Sequence, residues 1–352
     1  MAKAPKKTAA KKAKTTAKKV ASKSVEKEVA KKAASKKAVT KKSTTAAKKA
    51  IAKKPAAQKK TKQRKSAAKV DKKVKGYGGG SVDVVMSVDQ VAKEAASIAA
   101  NAPTHKELLK LAGNEPLLTI DNLRAGYGKM EILHEFSLEV GKGQSLCLIG
   151  PNGAGKSTVL HSIFGFTNIF SGKISISGKD VTHLTPSQKL GEAGIAYILQ
   201  DKSVFPQMTV EENLLMGGFL KNKPVEAKAA ADMVFEKYSR LADRRDKPAG
   251  VLSGGERRLL EISRALVMNP EVLLVDEPSI GLEPRFIDMV FEILSDLQHK
   301  DGKTIIMVEQ NAKKGLSFAD IGYVLVSGET AIANSGNNLL ENPDVGRLFL
   351  GG

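Results

Sequence analysis

The stretch Gly150-Pro151-Asn152-Gly153-Ala154-Gly155-Lys156-Ser157-Thr158 decides the fold of this chain. An apolar run, Leu146–Ile149, leads into it, and the helix-compatible residues 159–164 follow it. Strand, Gly-rich loop and helix in that order are the context in which the pattern G-x-x-x-x-G-K-[ST] forms a phosphate loop. Glycines let consecutive backbone N–H groups face an anion, and the following helix adds partial positive charge. The sequence therefore predicts a phosphate site at residues 150–158.

Two side chains of this loop carry chemistry. Lys156 supplies a full charge to the β- and γ-phosphates, and the Ser157 hydroxyl is a ligand for Mg²⁺. A chance Gly-rich turn is the alternative interpretation. The apolar run before the loop and the helix-forming residues after it favour the phosphate site.

Charge is divided unevenly along the 352 residues. Residues 1–75 contain 29 Lys and Arg against 3 Asp and Glu, whereas the remainder contains 28 against 34. A mildly acidic body therefore carries a strongly basic tail. The tail has almost no large apolar residues and cannot bury a core, so we expect it to be disordered alone.

The basic tail, residues 1–75, has two interpretations. One is a solvated, solubilising segment. The other is an arm that binds a polyanion, either nucleic acid or an anionic lipid surface, because dense lysine neutralises phosphates without reading bases. Its composition resembles the Lys/Ala-rich arms of histone-like proteins. An organelle transit peptide is disfavoured, since those segments favour Arg and Ser.

Residues 76–115 are predicted to form a hinge and two short helices between the tail and the body. Gly76–Ser81 is typical of a flexible linker. Ser87-x-x-Gln90 and Thr104-x-x-Glu107 are both capping-box patterns, and Gly113 would end the second helix. Neither helix carries recognisable chemistry. The body is predicted to span residues 116–352.

Short apolar runs alternate with helix-like segments through the body. The predicted strands are 117–120, 136–140, 145–150, 173–176, 195–199, 272–275, 304–308 and 323–326. The first two are expected to form an antiparallel flap. The alternation predicts a mainly parallel sheet covered by helices. Residues 209–268 are predicted to be mostly helical, with breaks at Pro224 and Pro248.

Cysteine and hydropathy exclude two classes of protein. The single cysteine, Cys147, excludes an internal disulfide and precedes the phosphate loop in its strand, where a buried thiol is expected. No apolar run reaches 18 residues, so no membrane span is predicted. The N-terminus has charge but no apolar segment, which argues against a secretory signal.

A second buried strand, Val272–Val275, runs into the two carboxylates Asp276 and Glu277. Its last side chains should lie at the carboxyl edge of the sheet, beside the phosphate loop. There Asp276 is expected to hold Mg²⁺, directly or through water, and Glu277 to polarise an attacking water. A helix cap or a solvated loop would be the preferred interpretation without the phosphate loop.

Leu252-Ser253-Gly254-Gly255-Glu256 precedes this strand, and a helix-like segment follows it directly. The order of phosphate loop, Gln200, Leu252–Glu256 and Asp276-Glu277 resembles the ATP-binding cassette family, the nucleotide-hydrolysing subunits of ABC transporters. The resemblance covers residues 116–352. It implies an α/β fold, a P-loop ABC-type nucleotide-binding domain with a mostly parallel sheet, an antiparallel β flap and a helical subdomain. ATP and Mg²⁺ are the cofactors it implies.

The resemblance also implies roles for particular residues. Tyr127 would stack on adenine. Gln200 would sense Mg²⁺ and the attacking water, and relay nucleotide occupancy to Asp201–Asn213, the segment facing a membrane subunit. In the turn Ser253-Gly254-Gly255, Ser253 and Gly255 would grip the γ-phosphate of ATP on the opposite protomer. One chain would then hold halves of two sites and act in a head-to-tail dimer, either a homodimer or a heterodimer with a second ATP-binding subunit.

Finer motifs resemble the second ATPase subunit of the branched-chain amino acid importers, with urea importers as close relatives. These motifs are Pro206-x-x-Thr209-Val210-Glu211-Glu212-Asn213, Leu252–Glu256, Asp276-Glu277-Pro278-Ser279-x-Gly281-Leu282 and Val308-Glu309-Gln310-Asn311. The resemblance implies an ATPase that drives transport through integral membrane permease subunits. It would be cytoplasmic and peripheral on the inner face of the cell membrane.

Three positions depart from the wider family. Glu256 stands where the signature usually has Gln, as in the importer subgroup. Glu283 stands where the loop between protomers often has Asp. Gln310 stands in place of the switch histidine and is assigned its catalytic position by inference. None of the histidines at 105, 134, 161, 183 and 299 lies near Gln310 in sequence, and all are interpreted as ordinary surface or core residues.

Two other classes of function remain open from the sequence. One is an ABC-type ATPase carried to nucleic acid, on chromatin or ribosomes, by its basic tail. The soluble translation-factor branch normally carries two cassettes, whereas this chain has one phosphate loop. The other is a structural nucleoid protein with an incidental ATPase, against which the complete motif set argues. We expect removal of residues 1–75 to leave basal ATPase activity nearly unchanged.

Overall fold

The computed structural model describes residues 103–113, 115–200 and 203–350. The predictions for the tail, for the hinge and for the helix beginning near Ser87 lie outside these residues, as do Asp201 and Lys202. The proposed boundaries at residues 75 and 115 therefore stay predictions.

Helix α1, His105–Leu111, packs on the body just before its first strand. Its predicted capping box is confirmed, with Thr104 and Glu107 bonded reciprocally. Leu108 is buried in the main core, and Gln144 Nε2 donates to the Leu111 carbonyl oxygen at 3.1 Å. The helix is therefore fixed to the body by both apolar and polar contacts.

An antiparallel sheet forms the predicted flap. Its strands, in the order β2-β1-β4-β5, are β1 (Pro116–Tyr127), β2 (Met130–Gly141), β4 (Asn168–Ile176) and β5 (Lys179–Asp180). Leu118 pairs with Val140 and Ile120 with Leu138, so the two predicted strands do pair antiparallel. Both extend well beyond their predicted bounds, because their outer halves carry polar residues on the solvent side.

The second sheet is parallel except at one edge. Its strands, in the order β10-β9-β3-β8-β7-β6, are β3 (Ser145–Ile149), β6 (Ile195–Ile198), β7 (Val272–Asp276), β8 (Thr304–Val308), β9 (Ile321–Val326) and β10 (Glu329–Ser335). Every residue of β3, β7 and β8 is buried, as expected when both faces of a parallel sheet are covered. The phosphate loop therefore leaves the sheet near its centre, between β8 and β9.

Helices cover this sheet and build a separate lobe. They are α2 (Lys156–Phe164), α3 (Pro186–Gly191), α4 (Val210–Gly217), α5 (Pro224–Lys237), α6 (Ser239–Ala242), α7 (Gly254–Leu266), α8 (Pro284–His299), α9 (Ala312–Phe318), α10 (Gly336–Glu341) and α11 (Pro343–Phe349). Helices α4 to α7 share their own apolar core, which makes the helical subdomain. Pro224 begins α5 and Pro248 precedes a short 3₁₀ turn, so both predicted breaks are confirmed. Within the described ranges, no helix combines the length and apolar character that a membrane span needs.

Lys189 on α3 is a fully buried lysine whose Nζ donates to the Ser162 carbonyl oxygen at 3.2 Å. This carbonyl lies in the last turn of α2, where the helix dipole favours a cation. Burial nevertheless lowers the pKa of Lys189 to about 8, with Asp180 acting in the opposite direction. The charged ammonium therefore destabilises the folded state, and it does so fully at every pH below about 8.

Lys189→Met should raise the free energy of unfolding by about 2 kcal/mol at pH 7. Between the folded pKa near 8 and the ordinary value of 10.5, the unfolded wild type binds more protons, so its stability rises with pH. The difference in free energy of unfolding between the variant and the wild type should therefore decrease across this range. Urea unfolding at several pH values measures it, with the exposed Lys179→Met as the control. An equal effect of both substitutions would contradict the buried-charge explanation.

Candidate active site

The phosphate loop runs from the end of β3 into α2. Gly150, Gly153 and Gly155 have φ of 146°, 83° and 99°, a region that favours glycine. At Gly150 a Cβ would lie 2.2 Å from the carbonyl oxygen of Leu325 on β9. The loop can therefore pass close to the sheet only with glycine there. It leads to the N–H groups of the first turn of α2, which lack partners within the helix and suit an anion.

Lys156 is the charged group of this loop. Its Nζ donates to the carbonyl oxygens of Gly150 at 2.9 Å and Pro151 at 3.0 Å, so the side chain folds back over the loop. Burial lowers the pKa of Lys156, and the nearby Glu277 and Asp276 act in the opposite direction. The ammonium therefore lies between the loop and the two carboxylates, where phosphate charge would be countered.

Asp276, at the end of β7, is joined to the loop by hydrogen bonds. Its Oδ1 accepts from the Ser157 hydroxyl at 3.2 Å, and its Oδ2 accepts from the Tyr197 hydroxyl at 2.8 Å. Hydroxyl and carboxylate oxygens are ligands that Mg²⁺ prefers. A protein usually supplies only one or two carboxylates to this cation. Within the described part of the chain, no group of three or more His, Cys, Asp or Glu side chains is placed to hold a metal ion. The donor set fits Mg²⁺.

Glu277 turns away from the strand in a left-handed conformation, with φ of 44°. Such a backbone costs on the order of 1–3 kcal/mol for a residue other than glycine. Its N–H donates to the Val308 carbonyl oxygen at 2.9 Å, which helps to hold this conformation. Its Oε2 accepts from Gln200 Nε2 at 2.7 Å. Burial, and then the charge of Asp276, raise the pKa of Glu277.

Gln310 follows β8, and its side chain is exposed. Together with Lys156, Glu277 and the start of the phosphate loop it lines a cleft of about 240 Å³. The adjacent Glu309 is buried and accepts from the Ser279 hydroxyl at 2.7 Å. Glu309 thus ties the segment after Glu277 to the end of β8, so that the ends of three strands meet at one cleft.

Tyr127 ends β1 of the antiparallel sheet and is 43% exposed. Its hydroxyl contacts Nδ1 of His161 on α2, and the His161 ring packs against Phe166 and Tyr197. Burial lowers the pKa of His161, which favours its neutral form. Tyr127 therefore lies beside the helix that begins at the phosphate loop. Its stacking on adenine stays a prediction.

Ser253 is the N-cap of α7 and forms a capping box with Glu256. Its hydroxyl accepts from the Glu256 N–H at 3.2 Å, and a Glu256 carboxylate oxygen accepts from the Ser253 N–H at 2.9 Å. A carboxylate or a carboxamide oxygen serves equally here, which explains why Glu replaces Gln without loss of the cap. Ser253 and Gly254 are exposed, and no residue of α7 is among those lining the cleft beside the phosphate loop.

Arg258 connects this helix to the active-site strands. It is 4% exposed, and its Nη1 donates to the Leu199 carbonyl oxygen at 2.7 Å and to Glu261 at 2.9 Å. Its Nη2 reaches the Asp276 carbonyl oxygen at 3.5 Å. A charged residue amid the apolar positions of α7 was the only signal for it in the sequence.

Four side chains around this site were not predicted from the sequence. They are Tyr197, Arg258, Glu309 and His161, of which only Glu309 lay within a quoted motif and His161 was interpreted as an ordinary histidine. Each contacts a predicted site residue or its neighbour through an element distant in sequence. The predicted roles of the site residues themselves stay predictions, although the structure brings most of them to one edge of the sheet.

Comparison with known proteins identifies relatives over the body of the chain. The ABC transporter family model matches residues 133–280. A branched-chain amino acid transport ATP-binding protein of Pseudomonas aeruginosa, BraG, is 43% identical over 67% of this chain and 100% of its own length. A probable branched-chain amino acid transport ATP-binding protein of Archaeoglobus fulgidus, LivF, is 37% identical over 67% of this chain and 99% of its own.

Two further similarities broaden this picture. The lipopolysaccharide export ATP-binding protein LptB of Haemophilus influenzae is 32% identical over 67% of this chain and 97% of its own. A solved nucleotide-free ATP-binding cassette from an ABC transporter matches with a TM-score of 0.59 at 30% identity. The match covers 67% of this chain and 100% of that one.

Proposed function

Because this chain belongs to the ABC transporter family as an ATP-binding subunit that hydrolyses ATP, we propose that it drives the import of branched-chain amino acids through separate integral membrane permease subunits. The identity to two ATP-binding proteins of branched-chain amino acid transport, at 43% and 37%, supports this solute class. The relative named for lipopolysaccharide export is less similar, at 32%, so the solute class is taken from the more similar pair.

Uptake of labelled leucine, isoleucine and valine by cells lacking this protein tests the proposal. Uptake should fall and return when the wild-type chain is supplied. A variant with Lys156→Ala should not restore it, because the charge facing the phosphates is lost. Unchanged uptake of all three amino acids, with loss of another solute such as urea, would contradict the solute class and leave the ATPase assignment intact.

The contact between Gln200 and Glu277 carries the proposed chemistry. ATP lies with its phosphates on residues 150–158, and Lys156 counters the charge of the β- and γ-phosphates. Ser157 and Asp276, with Gln200, would hold Mg²⁺, which would neutralise charge on the transferred phosphoryl group. Glu277 accepts a proton from the attacking water, and burial raises its pKa, which makes its carboxylate a stronger base. Gln200 orients that water, and Gln310 lies next to the same water.

The proposed dimer is head-to-tail, with a second copy or with a related ATP-binding subunit. The turn of Ser253, Gly254 and Gly255, in which Ser253 and Gly254 are exposed, supports this dimer. This turn begins a 13-residue helix, offers N–H groups to an anion, and lies apart from the cleft of its own chain. A partner's γ-phosphate would satisfy these groups. Two sites, each built from both protomers, follow from this arrangement.

A groove between the sheet and the helical subdomain is the proposed permease contact. It has a volume of about 350 Å³, and its lining includes Phe205, Met216 and Phe219, which are 45%, 42% and 79% exposed. Exposed aromatic clusters of this kind mark protein interfaces. Tyr197 also lines the groove, while its hydroxyl contacts Asp276. One side chain therefore connects the groove to the proposed Mg²⁺ site.

Phe219→Arg should prevent copurification of this protein with its permease subunits while leaving ATP binding unchanged. The substitution puts a charge where an aromatic ring would be buried, and such an anchor is worth roughly 2 kcal/mol or more. Val225→Arg, on the exposed face of α5 outside the groove, is the matched control. Affinity purification from membranes followed by protein identification measures both. Equal recovery of permeases with the two variants would exclude the groove as their contact.

The proposed location is the cytoplasm, peripheral on the inner face of the cell membrane, where permease subunits expose their cytoplasmic loops. The basic tail would lie close to an anionic leaflet there. The comparisons cover the body alone and give no support to nucleic acid binding by residues 1–75, so that alternative is not part of the proposal.

A further inference from the structure

A second cleft, of about 540 Å³, lies at the edge of the parallel sheet opposite the phosphate loop. Asn269 precedes β7, Asp301 and Lys303 precede β8, and all three line this cleft. The phosphate loop instead follows β3, which runs parallel to β8. Five-residue strands span about 16 Å, so the two clefts are separated by the length of the sheet. A ligand here would not compete with ATP.

One wall of this cleft is apolar. Ala230, Met233 and Val234 share one face of α5, and Leu266 and Val267 at the end of α7 complete the wall. Met233 is 68% exposed, which leaves its thioether available for contact. Methionine adapts its shape readily to aliphatic groups. This wall suits a short aliphatic body.

Three lysines surround the apolar wall. Lys237 pairs with Asp301, so its charge is already balanced. Lys303 donates to Asn269 Oδ1 at 2.7 Å, and burial lowers its pKa, with the nearby carboxylates of Asp301 and Glu271 acting in the opposite direction. Lys221 lines the cleft without a side-chain partner among the described residues. The cleft therefore carries an excess of positive charge that an anion would balance.

Tyr238 also lines this cleft. Its hydroxyl oxygen is buried and has no hydrogen-bond partner within the described residues. Buried hydroxyls are normally paired, so this one is an exception that calls for a partner. Burial, with the charges of Asp301 and Asp296, raises the pKa of Tyr238, so the phenol stays protonated and can donate.

We propose that this cleft binds a small aliphatic carboxylate. Its carboxylate lies between Lys221, Lys303 and the Tyr238 hydroxyl, and its hydrocarbon body lies on Met233 and Val234. The volume falls within the range of small-molecule sites. Inorganic phosphate would meet the lysines but leave the apolar wall unused. The site is independent of the transported solute and of the permease contact.

Calorimetric titration of the full chain with 4-methylpentanoate tests the proposal, in the presence of saturating Mg-ATP. Binding should be observed, and the uncharged 4-methylpentanamide should bind about tenfold more weakly or not at all. Inorganic phosphate should not displace the carboxylate at equal concentration. Equal affinity for acid and amide, displacement by phosphate, or absence of binding would each overturn the proposal.

Two substitutions locate the binding. Lys303→Met should weaken 4-methylpentanoate binding about tenfold, whereas Lys300→Met, on the same turn but outside the cleft, should not. Residues 1–75 are identical in both variants, so any binding of the anion to the basic tail contributes equally to both measurements. Tyr238→Phe should weaken binding and also raise the thermal stability of the free protein, because it removes an unpaired buried hydroxyl. If Lys303→Met does not fold, Lys221→Met serves in its place. Equal affinities of all variants would overturn the assignment.

Discussion

Replacing Glu277 by Gln is expected to lower ATP turnover by roughly 10²-fold or more while ATP still binds. Gln has nearly the same shape and can keep the contact with Gln200, 2.7 Å from the wild-type carboxylate. It cannot accept a proton from water. The phosphate contacts that we propose for residues 150–158 do not involve Glu277, so affinity for ATP should be preserved. Turnover is measured by phosphate release at saturating protein, and affinity by nucleotide titration.

The pH dependence sharpens this prediction. A base must be deprotonated to act, and burial places the pKa of Glu277 above its ordinary value of 4.5. Wild-type turnover should therefore fall as pH decreases through that raised pKa. The residual activity of Glu277→Gln should lack this dependence. Glu292→Gln, an exposed change on α8, should behave as wild type. Wild-type turnover in Glu277→Gln would remove Glu277 from the role of base.

Ser253→Arg is expected to abolish the ATP-driven dimer and spare ATP binding by the isolated protomer. Ser253 is exposed at the start of α7 and is not among the residues lining the cleft of its own chain. An arginine there would occupy the space proposed for the partner's γ-phosphate. Because each proposed site needs both protomers, turnover should be lost together with the dimer. Size-exclusion chromatography with ATP in the Glu277→Gln background measures the dimer.

A matched control separates this effect from loss of the helix cap. Ser253→Arg also removes a capping box, which costs on the order of 1 kcal/mol. Thr185→Arg removes the equivalent capping box of α3 at an exposed position and adds the same charge. Thr185→Arg should still dimerise with ATP. A dimer of unchanged size in Ser253→Arg would contradict the composite site.

Local patterns were sufficient for much of this protein. The phosphate loop was predictable because its glycines, Lys156 and the flanking strand and helix lie within about 20 consecutive residues. The fully buried β3, β7 and β8 were predicted closely, since a strand covered on both faces has a continuous apolar run. Strands with one solvated face were less well predicted. β4 was recognised only over its buried end, and β10 was missed.

Contacts between distant segments were decided by the tertiary structure alone. The sequence predicted that Asp276 lies at the end of a strand. It did not predict that the hydroxyl of Tyr197, 79 positions earlier in the chain, would donate to it. Two other contacts depend likewise on the order of the strands in the sheet. Glu309 pairs with Ser279, and Arg258 donates to the Leu199 carbonyl oxygen. The periodicity of apolar residues in the sequence predicts which side chains are buried. The polar atoms of a buried side chain need hydrogen-bond partners. Which partner each atom finds is fixed only when helices and strands pack together.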